Sequence, residues 1–330
     1  MALITKYGSF WGMLPQTTGR YFWVAPSAAY TVEGQAFEAN DGNAGLSPEL
    51  ALRTVTQAMA LATASVGDVI VLLPGTHTYT ATLTVAKAGL TIVGIPGSTP
   101  VPGSRMPSGS KRQRTRITCT ATAGIIFTVT AADCEFAYLD LIPVAAGGRG
   151  FSLSPLSGAA NRTYIHDCSF TMTGTASVTT YGVTVPAGVT ADLLEDVLVQ
   201  RCYFLSGLST SSGANGPGVN ILGTAHGFTV EQSTFQLKGT AAWAAAILGS
   251  QAGTLGTLIR ECDFLNPTSA TTVITTAYLA TGQTVDGSSN MYRCYIPAGT
   301  DGTTATASAD VSAAECYQSS IAGGTLMTAS

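Results

Sequence analysis

The chain has 330 residues, of which 45% are hydrophobic and only 10% are charged, and its formal net charge is −4. This apolar content excludes an intrinsically disordered chain, and the lack of a positive overall charge argues against nucleic acid as a partner. No apolar run is long enough to span a bilayer, and residues 1–14 lack the apolar core of a secretory signal. We therefore predict no membrane partner and no export.

The first segment, residues 1–20, is rich in aromatic side chains, among them Tyr7, Phe10 and Trp11. Trp and Tyr dominate the energetics of protein interfaces. We therefore predict that residues 1–20 form an N-terminal docking arm that contacts a partner or a second copy of the chain. Residues 21–25 read Tyr-Phe-Trp-Val-Ala and predict a strand that begins the folded domain, which we place at residues 21–330.

A single helix is predicted over about residues 47–64. Ser47 is a suitable N-cap, and Pro48 is tolerated at the first helical position. Apolar side chains recur on one face of the segment at Leu52, Val55, Met59 and Ala62. If the strands that follow form a stack, its open end exposes apolar side chains and unpaired backbone groups, and this helix would cap it.

Residues 67–76 read Gly-Asp-Val-Ile-Val-Leu-Leu-Pro-Gly-Thr, which predicts a strand that ends in a turn, and residues 79–85 alternate as a further strand would. Together with Asp41-Gly42-Asn43 and Gly45-Leu46-Ser47-Pro48, these motifs resemble the opening of pectin-lyase-like proteins over about residues 20–95. The resemblance implies a right-handed parallel β-helix. It is uninformative about function, because lyases, hydrolases, adhesins and phage tailspikes share this fold.

Residues 97–116 interrupt the pattern with prolines and a cluster of basic residues. The basic residues are Arg105, Lys111, Arg112, Arg114 and Arg116. One interpretation is a solvated loop between two coils. The other is a contact with an acidic protein surface, for which Arg105, Lys111, Arg112 and Arg114 are the candidate binding residues.

A short motif recurs through the second half of the chain: an aliphatic residue, two polar residues, Cys, one further residue and a large apolar residue. Its copies end at Phe170, Phe204, Phe235, Phe264 and Ile296, and Ser233 once replaces Cys. From Cys168 to Cys316 the spacings are 34, 31, 29, 32 and 22 residues. A period of about thirty residues that shifts slightly is typical of a coiled repeat with variable loops.

The motif alternates in polarity as strands do, and a second strand accompanies each copy. The second strands are predicted at residues 125–129, 182–185, 218–222, 245–248 and 273–279. We therefore predict an all-β fold, a right-handed single-stranded parallel β-helix with an N-terminal capping α-helix. Equivalent side chains should then stack about 4.8 Å apart, with Cys and Phe in internal columns.

The residue before each Cys should face outwards in this fold. Charges at this place alternate in sign, at Asp167, Arg201, Glu261, Arg293 and Glu315, with Gln232 between the second and the third. Opposite charges on neighbouring strands favour each other, which supports the proposed register.

The seven Cys residues lie mostly at one inward position of the repeat. Their spacing is too wide for a zinc site, which needs pairs about two to four residues apart, so we predict no metal. We predict buried, reduced thiols, although stacked thiols could also approach disulfide distance. The three histidines, His77, His166 and His226, are predicted to lie on the surface or in turns.

No catalytic constellation is apparent in the sequence. Glu261 and Asp263 are the nearest pair of carboxylates, and exposed charges explain them better than acid–base catalysis does. Pectin-lyase-like enzymes carry Gly-His-Gly with a paired Asp, or Arg-x-Pro-x-x-Arg. Here Ala225-His226-Gly227 and Arg105-Met106-Pro107 are the nearest strings. We therefore predict no catalytic residues, no cofactor and no enzymatic activity.

These features favour a structural protein of a bacteriophage particle. The preferred hypothesis is a capsid decoration protein, assembled in the host cytoplasm, that binds the major capsid protein or another virion protein on the exterior of the particle. Resemblance to spike proteins implies a homotrimer. The alternative is a tailspike or receptor-binding protein that binds or cleaves polysaccharide, with Tyr203 and Tyr295 as outward aromatic residues. A surface adhesin is a third hypothesis, disfavoured by the missing signal sequence.

Overall fold

The structure is a computed structural model. It describes residues 17–32, 34–95, 115–121, 124–156, 159–172, 180–188, 193–206, 216–237, 243–249, 256–265, 274–280, 289–297, 311–320 and 323–327. Three long sheets enclose an apolar core, and successive coils of the chain add strands to the sheets in turn. The predicted right-handed parallel β-helix is confirmed.

The strands of each sheet follow one another coil by coil. Sheet 1 has ten parallel strands: β1 (Tyr21–Val24), β4 (Val69–Leu72), β7 (Thr91–Gly94), β10 (Glu135–Ala137), β13 (Tyr164–His166), β17 (Leu198–Gln200), β21 (Thr229–Glu231), β24 (Leu258–Arg260), β27 (Ser289–Tyr292) and β29 (Val311–Ala314). Sheet 2 also has ten: β5 (Gly75–Tyr79), β8 (Thr115–Cys119), β11 (Leu139–Pro143), β14 (Ser169–Met172), β18 (Tyr203–Ser206), β22 (Thr234–Leu237), β25 (Asp263–Leu265), β28 (Tyr295–Pro297), β30 (Cys316–Ser320) and β31 (Gly323–Met327).

Sheet 3 has seven strands: β6 (Leu83–Val85), β9 (Ile125–Val129), β12 (Arg149–Leu153), β15 (Tyr181–Val185), β19 (Val219–Ile221), β23 (Trp243–Gly249) and β26 (Ile274–Ala280). Two small sheets complete the described strands: β2 (Ala29–Val32) with β3 (Gln35–Glu38), and β16 (Leu194–Glu195) with β20 (Ala225–His226). In the described residues, only the pairs β2–β3 and β30–β31 are antiparallel.

A single left-handed residue turns the chain from sheet 1 into sheet 2 in successive coils. Its φ lies between 48° and 58° at Tyr138, Asp167, Arg201, Gln232, Glu261, Arg293 and Glu315. This conformation is strained in a residue other than glycine, so its recurrence indicates that the geometry of the stack imposes it. In most coils this residue immediately precedes the stacked Cys, at the place where the sequence shows charges of alternating sign.

Phenylalanine rings form the predicted internal column. The ring centroids are 4.6 Å apart between Phe170 and Phe204, 4.6 Å between Phe204 and Phe235, and 5.1 Å between Phe235 and Phe264. All four rings are fully buried. Burial of each ring contributes on the order of 1.5–3 kcal/mol.

Sheet 3 makes room for these rings by placing glycine opposite them. A Cβ added to Gly150 would lie 2.7 Å from Cε1 of Phe170, and one added to Gly182 would lie 2.6 Å from Cε1 of Phe204. A real Cβ does not approach a ring atom so closely. In each of these coils the glycine backbone of sheet 3 therefore packs directly against a phenylalanine ring of sheet 2, as closely as in other protein interiors.

Cysteines form a second internal column of free, buried thiols. The thiols of Cys168, Cys202, Cys262 and Cys294 lie 3.6–3.8 Å from backbone carbonyl oxygens of the preceding coils. Ser233 takes the same place, where its hydroxyl accepts from the backbone N–H of Cys202 at 3.1 Å. Burial raises the pKa of the Cys168 thiol well above its ordinary value, which favours the neutral, unreactive form.

The single helix predicted over about residues 47–64 is wrong in extent. The segment forms a 3-10 helix at Pro48–Leu50 and an α-helix, α1, at Val55–Leu61. Between them Leu52 makes an isolated parallel bridge to Val24 of β1. The apolar residues of the predicted helical face therefore belong to two structures: Leu52 pairs as in a strand, and Val55 and Met59 lie in the short helix α1.

Thr54, rather than Ser47, caps α1. Its hydroxyl accepts from the backbone N–H of Gln57 at 3.1 Å. Val55 and Ala58 are fully buried in the core that the sheets enclose, so α1 covers the N-terminal end of the stack as predicted. In the residues that the structure describes, no helix is long and apolar enough to cross a membrane.

Gly182→Ala should destabilise the protein, because the new methyl group meets Phe204 at 2.6 Å and the carbonyl oxygen of Gly218 at 2.5 Å. We expect a loss of about 1–3 kcal/mol in the free energy of unfolding, as in other overpacked cores. Gly42→Ala is the control, since the nearest atom to its Cβ is a side-chain oxygen of Asn40 at 3.3 Å. Denaturant titration measures both variants, and equal stability would contradict the ring–glycine packing.

Candidate functional site

The outer face of sheet 1 carries a line of polar and charged side chains. Side chains alternate between core and solvent along each strand, so the residues beside the buried Phe136, Ile165 and Val199 face outwards. The strand register aligns them in two rows: Glu135, Tyr164, Leu198 and Thr229 in one, and Ala137, His166, Gln200, Glu231 and Arg260 in the other.

A connected set of side chains crosses this face, and we call it the ionic ladder. It consists of Glu135, His166, Asp167, Gln200, Arg201, Glu231 and Arg260. Five of these residues lie on the neighbouring strands β10, β13, β17, β21 and β24. Asp167 and Arg201 lie at the left-handed corners that follow β13 and β17.

His166 lies between two carboxylates. Its Nδ1 is 2.7 Å from Oδ2 of Asp167, and its Nε2 is 2.8 Å from Oε1 of Glu135. Ionised carboxylates only accept hydrogen bonds, so carboxylates facing both ring nitrogens favour the doubly protonated imidazolium form of His166. The ring of Tyr164 stacks on it, with centroids 4.1 Å apart, and the ring of Tyr138 meets its edge at 6.0 Å.

The pKa shifts of this pair favour the charged forms. Burial by itself would lower the pKa of His166, but hydrogen bonds to Asp167 and Glu135 outweigh it and raise the pKa above its ordinary value. Burial would raise the pKa of Asp167, but hydrogen bonds from His166 and Arg201 lower it. A buried ion pair requires such full hydrogen bonding, because an unpaired charge would be costly at this position.

Arg201 extends the ladder by a two-pronged contact with Asp167. Its Nε donates to Oδ1 at 3.0 Å and its Nη2 to Oδ2 at 2.7 Å. Its Nη1 donates to Oε1 of Gln200 at 2.6 Å. This fork geometry fixes the guanidinium in place, as bidentate arginine–carboxylate pairs do.

Gln200 connects the first half of the ladder to the second. Its carbonyl oxygen accepts from the hydroxyl of Tyr164, and its amide donates to Glu231. Glu231 also accepts from Nε of Arg260. The oxygen of Gln200 accepts two hydrogen bonds and its NH2 donates one, so the orientation of the amide follows from its partners.

The ladder presents charged groups to solvent along one edge. The side chains of Glu135, Arg201 and Arg260 are 30%, 31% and 49% exposed, respectively. They offer both hydrogen-bond acceptors and donors beside the ring of Tyr164, and Glu135 is the partly exposed carboxylate that could exchange a proton with a ligand. Within the described residues, no group of three or more His, Cys, Asp or Glu side chains could hold a metal ion.

The binding residues predicted from the sequence lie outside the described residues. These are Tyr7, Phe10, Trp11, Arg105, Lys111, Arg112 and Arg114. The N-terminal docking arm and the contact of the basic loop with an acidic surface therefore stay predictions. At its C-terminal end the predicted loop 97–116 is too long, because β8 begins at Thr115 and pairs with β5.

Glu261 and Asp263 lie on different elements. Glu261 lies at a left-handed corner and accepts from Nε2 of Gln232 at 3.1 Å, whereas Asp263 lies in β25 on sheet 2. Asp263 pairs directly with Tyr295 on one side and with Thr234 on the other, and Thr234 pairs with Tyr203. Two residues therefore separate the outward tyrosines Tyr203 and Tyr295. Sheet 2 therefore has no continuous aromatic strip in its described part.

The prediction that the histidines lie on the surface or in turns is wrong. His166 and His77 are buried strand residues, and His226 is a half-buried residue of β20. Sequence reasoning missed Glu135 and His166 because they are 31 residues apart and meet only when the coils stack. The alignment of Phe136 with Ile165 in the repeat was the signal that could have placed them together.

His166→Gln should change how stability depends on pH. Because the pKa of His166 is raised in the folded state, its contribution is fully present below the unfolded-state pKa of about 6.5 and is lost as pH rises through the folded-state pKa. The wild-type advantage in free energy of unfolding over His166→Gln should therefore be larger at about pH 6 than at about pH 9.

Chemical denaturation at both pH values measures this difference, with His226→Gln as the control. His77, whose pKa burial lowers to about 4, is present in all the proteins compared and cancels. An advantage of wild type over His166→Gln that grows with pH would contradict a charged His166.

Comparison with known proteins places the chain by fold. No family model and no curated protein matches the sequence. The solved structure of pectin methylesterase PemA from Erwinia chrysanthemi is similar, with a TM-score of 0.50 at 13% identity over 90% of this chain and 89% of that one. Pectate lyase Pel9A matches with a TM-score of 0.45 at 13% identity, over 92% of this chain and 77% of that one. ORF18 of Geobacillus virus E2 matches with a TM-score of 0.31 at 14% identity, over 80% and 56%.

The prediction that this chain is not an enzyme is corrected by PemA. PemA is a pectin methylesterase, so the fold that it shares with this chain also occurs in an enzyme. Motifs along the sequence are a poor guide in such a fold, because side chains from different coils form the site. The chain is a right-handed parallel β-helix protein.

Proposed function

We propose that this protein acts on polysaccharide at the ionic ladder, as a component of a bacteriophage particle. The observation that carries the proposal is the ring of Tyr164 stacked on His166, with the partly exposed Glu135 and Arg201 on either side. An aromatic ring with a few fixed polar groups around it is the usual composition of a small-molecule or sugar site.

The polar groups of the ladder are held in place before any ligand binds. Asp167 fixes both His166 and Arg201, and Glu231 fixes Arg260. A ligand therefore meets donors and acceptors whose conformational entropy is already reduced, which lowers the cost of binding. Sugar hydroxyls both donate and accept, so they can match alternating carboxylates and guanidinium groups.

The length of the ladder suits a polymer rather than a single sugar. It crosses five adjacent strands of sheet 1, which lie about 4.8 Å apart, so its span is about 20 Å. Glu135 at one end is the carboxylate with both solvent access and a hydrogen-bonded cation, His166, beside it. We assign to Glu135 the role of acid–base group if the glycan is cleaved.

A glycan array of bacterial surface polysaccharides tests this proposal. Wild type should bind at least one glycan, and Tyr164→Ala should weaken that binding about tenfold, as loss of an anchoring aromatic does. Tyr295→Ala is the matched control, because Tyr295 is a 38% exposed tyrosine on sheet 2 outside the ladder. An assay for new reducing ends on the bound glycan reports cleavage. Equal loss in both variants, or no bound glycan, would overturn the proposal.

Capsid decoration as a homotrimer on the exterior of the particle is the second candidate. A specific observation favours a contact at the N-terminal end of the stack: large apolar side chains are exposed there. They are Leu46, Leu50, Leu61 and Val66, at 56%, 54%, 38% and 41% exposure. Exposed large apolar side chains are candidate contact points for a partner protein, and a capsid subunit is the partner proposed for these.

The double change Leu46→Ser with Leu50→Ser tests the decoration candidate. Both side chains are mostly solvent-exposed, so folding should be retained while binding to purified phage heads falls at least about tenfold. Leu156→Ser is the matched control, since Leu156 is 60% exposed and follows β12, away from this end. Co-sedimentation with heads measures binding, and unchanged binding of the double variant would remove this end from the interface.

A further inference from the structure

We infer that the polysaccharide bound at the ionic ladder is uncharged rather than a polyuronate. This inference names the substrate class of the proposed site and rests on the proposed function. Three observations support it: the arginines on this face are already paired with carboxylates, the carboxylates outnumber the arginines, and the groups that stay exposed suit hydroxyl groups.

Each arginine in the described part of this face already has a carboxylate partner. The pairs are Arg201 with Asp167, Arg260 with Glu231, and Arg293 with Glu315. A site for uronates needs a guanidinium or ammonium group free to form a charge-assisted, two-pronged contact. Arg201 already uses that geometry on Asp167, and Arg260 and Arg293 each hold one carboxylate oxygen, of Glu231 and Glu315. A ligand carboxylate would therefore compete with a negative charge already in place at each arginine.

Carboxylates also outnumber the arginines on the ladder face. Of five acidic residues, Glu135, Asp167, Glu231 and Glu315 share three arginines and one histidine, and the fifth, Glu261, accepts from Gln232. Displacement of any one of them would leave a carboxylate beside a uronate. Like charges brought together at an interface cost several kcal/mol, so the face disfavours an anionic chain.

The contacts that remain suit hydroxyl groups. The side chains of Glu135 and Arg260 stay 30% and 49% exposed after their internal hydrogen bonds are made, and Tyr164 is a residue of intermediate exposure. A neutral sugar can donate to a carboxylate edge and accept from a guanidinium edge without disturbing either ion pair. The ladder can therefore hydrogen-bond an uncharged glycan with its ion pairs intact. A glycan carboxylate would compete with the carboxylates that already hold the arginines.

Freeing one arginine tests the inference directly, with polygalacturonate as the probe. Glu231→Gln removes the partner of Arg260, and affinity electrophoresis should show at least about tenfold tighter retention by polygalacturonate than for wild type. Glu261→Gln is the matched control, because it makes the same change in net charge while its carboxylate is hydrogen-bonded by Gln232. Equal retention of the two variants would overturn the inference.

Asp167→Asn provides a second test, because it releases Arg201 at a left-handed position that asparagine tolerates. It too should gain retention by polygalacturonate. If neither this variant nor Glu231→Gln gains affinity, ion pairing within the protein does not govern the choice of glycan, and the inference fails.

The glycan array separates failure of this inference from failure of the proposed function. Binding of uncharged glycans by wild type, weakened by Tyr164→Ala, supports both. Binding of uronate-containing glycans that Tyr164→Ala weakens overturns the inference and leaves the proposed function intact. Binding of no glycan overturns the proposed function and the inference with it.

Discussion

The lateral stacking of like side chains from coil to coil is the constraint on which the rest of the structure depends. Parallel strands hold successive coils about 4.8 Å apart, and the rings of Phe170, Phe204 and Phe235 follow at 4.6 Å intervals. A shift of one residue in any strand would turn its core side chains to solvent. The glycines opposite the rings and the left-handed corners before the cysteines both follow from this one register.

The same register builds the ionic ladder on the outside. Because Phe136, Ile165 and Val199 are fixed inwards, their neighbours Glu135, His166 and Gln200 must face outwards, in two adjacent rows. Exposed ion pairs contribute little to stability, yet His166 and Asp167 are nearly buried and hydrogen-bonded on several sides. The outcome is a rigid, preformed polar surface on an apolar scaffold, which is what a polymer-binding face requires.

The fold could be predicted from the sequence because a stacked repeat places its signal at a fixed interval. The columns of Phe and Cys and the outward charges were visible without coordinates. The extent of the N-terminal helix was not, because Leu52 fits a helical face yet bridges to Val24. Residues 79–85 also alternate as one strand, but the chain turns between β5 and β6.

The site itself escaped prediction, because Glu135 and His166 come from different coils. Loops of variable length hide which residues of neighbouring coils meet, and only the register of β10 with β13 brings the two together. A search along the chain therefore found Glu261 and Asp263, which are near in sequence but lie on different elements.

Hydroxyl-radical footprinting in the presence of the best glycan from the array tests the central claim most directly. It reads the exposure of Tyr164 and Tyr138 on the ladder and of Leu46 and Leu50 at the N-terminal end in one experiment. The account predicts that the glycan protects the two tyrosines and leaves the two leucines unchanged. Protection of the leucines without protection of the tyrosines would contradict it.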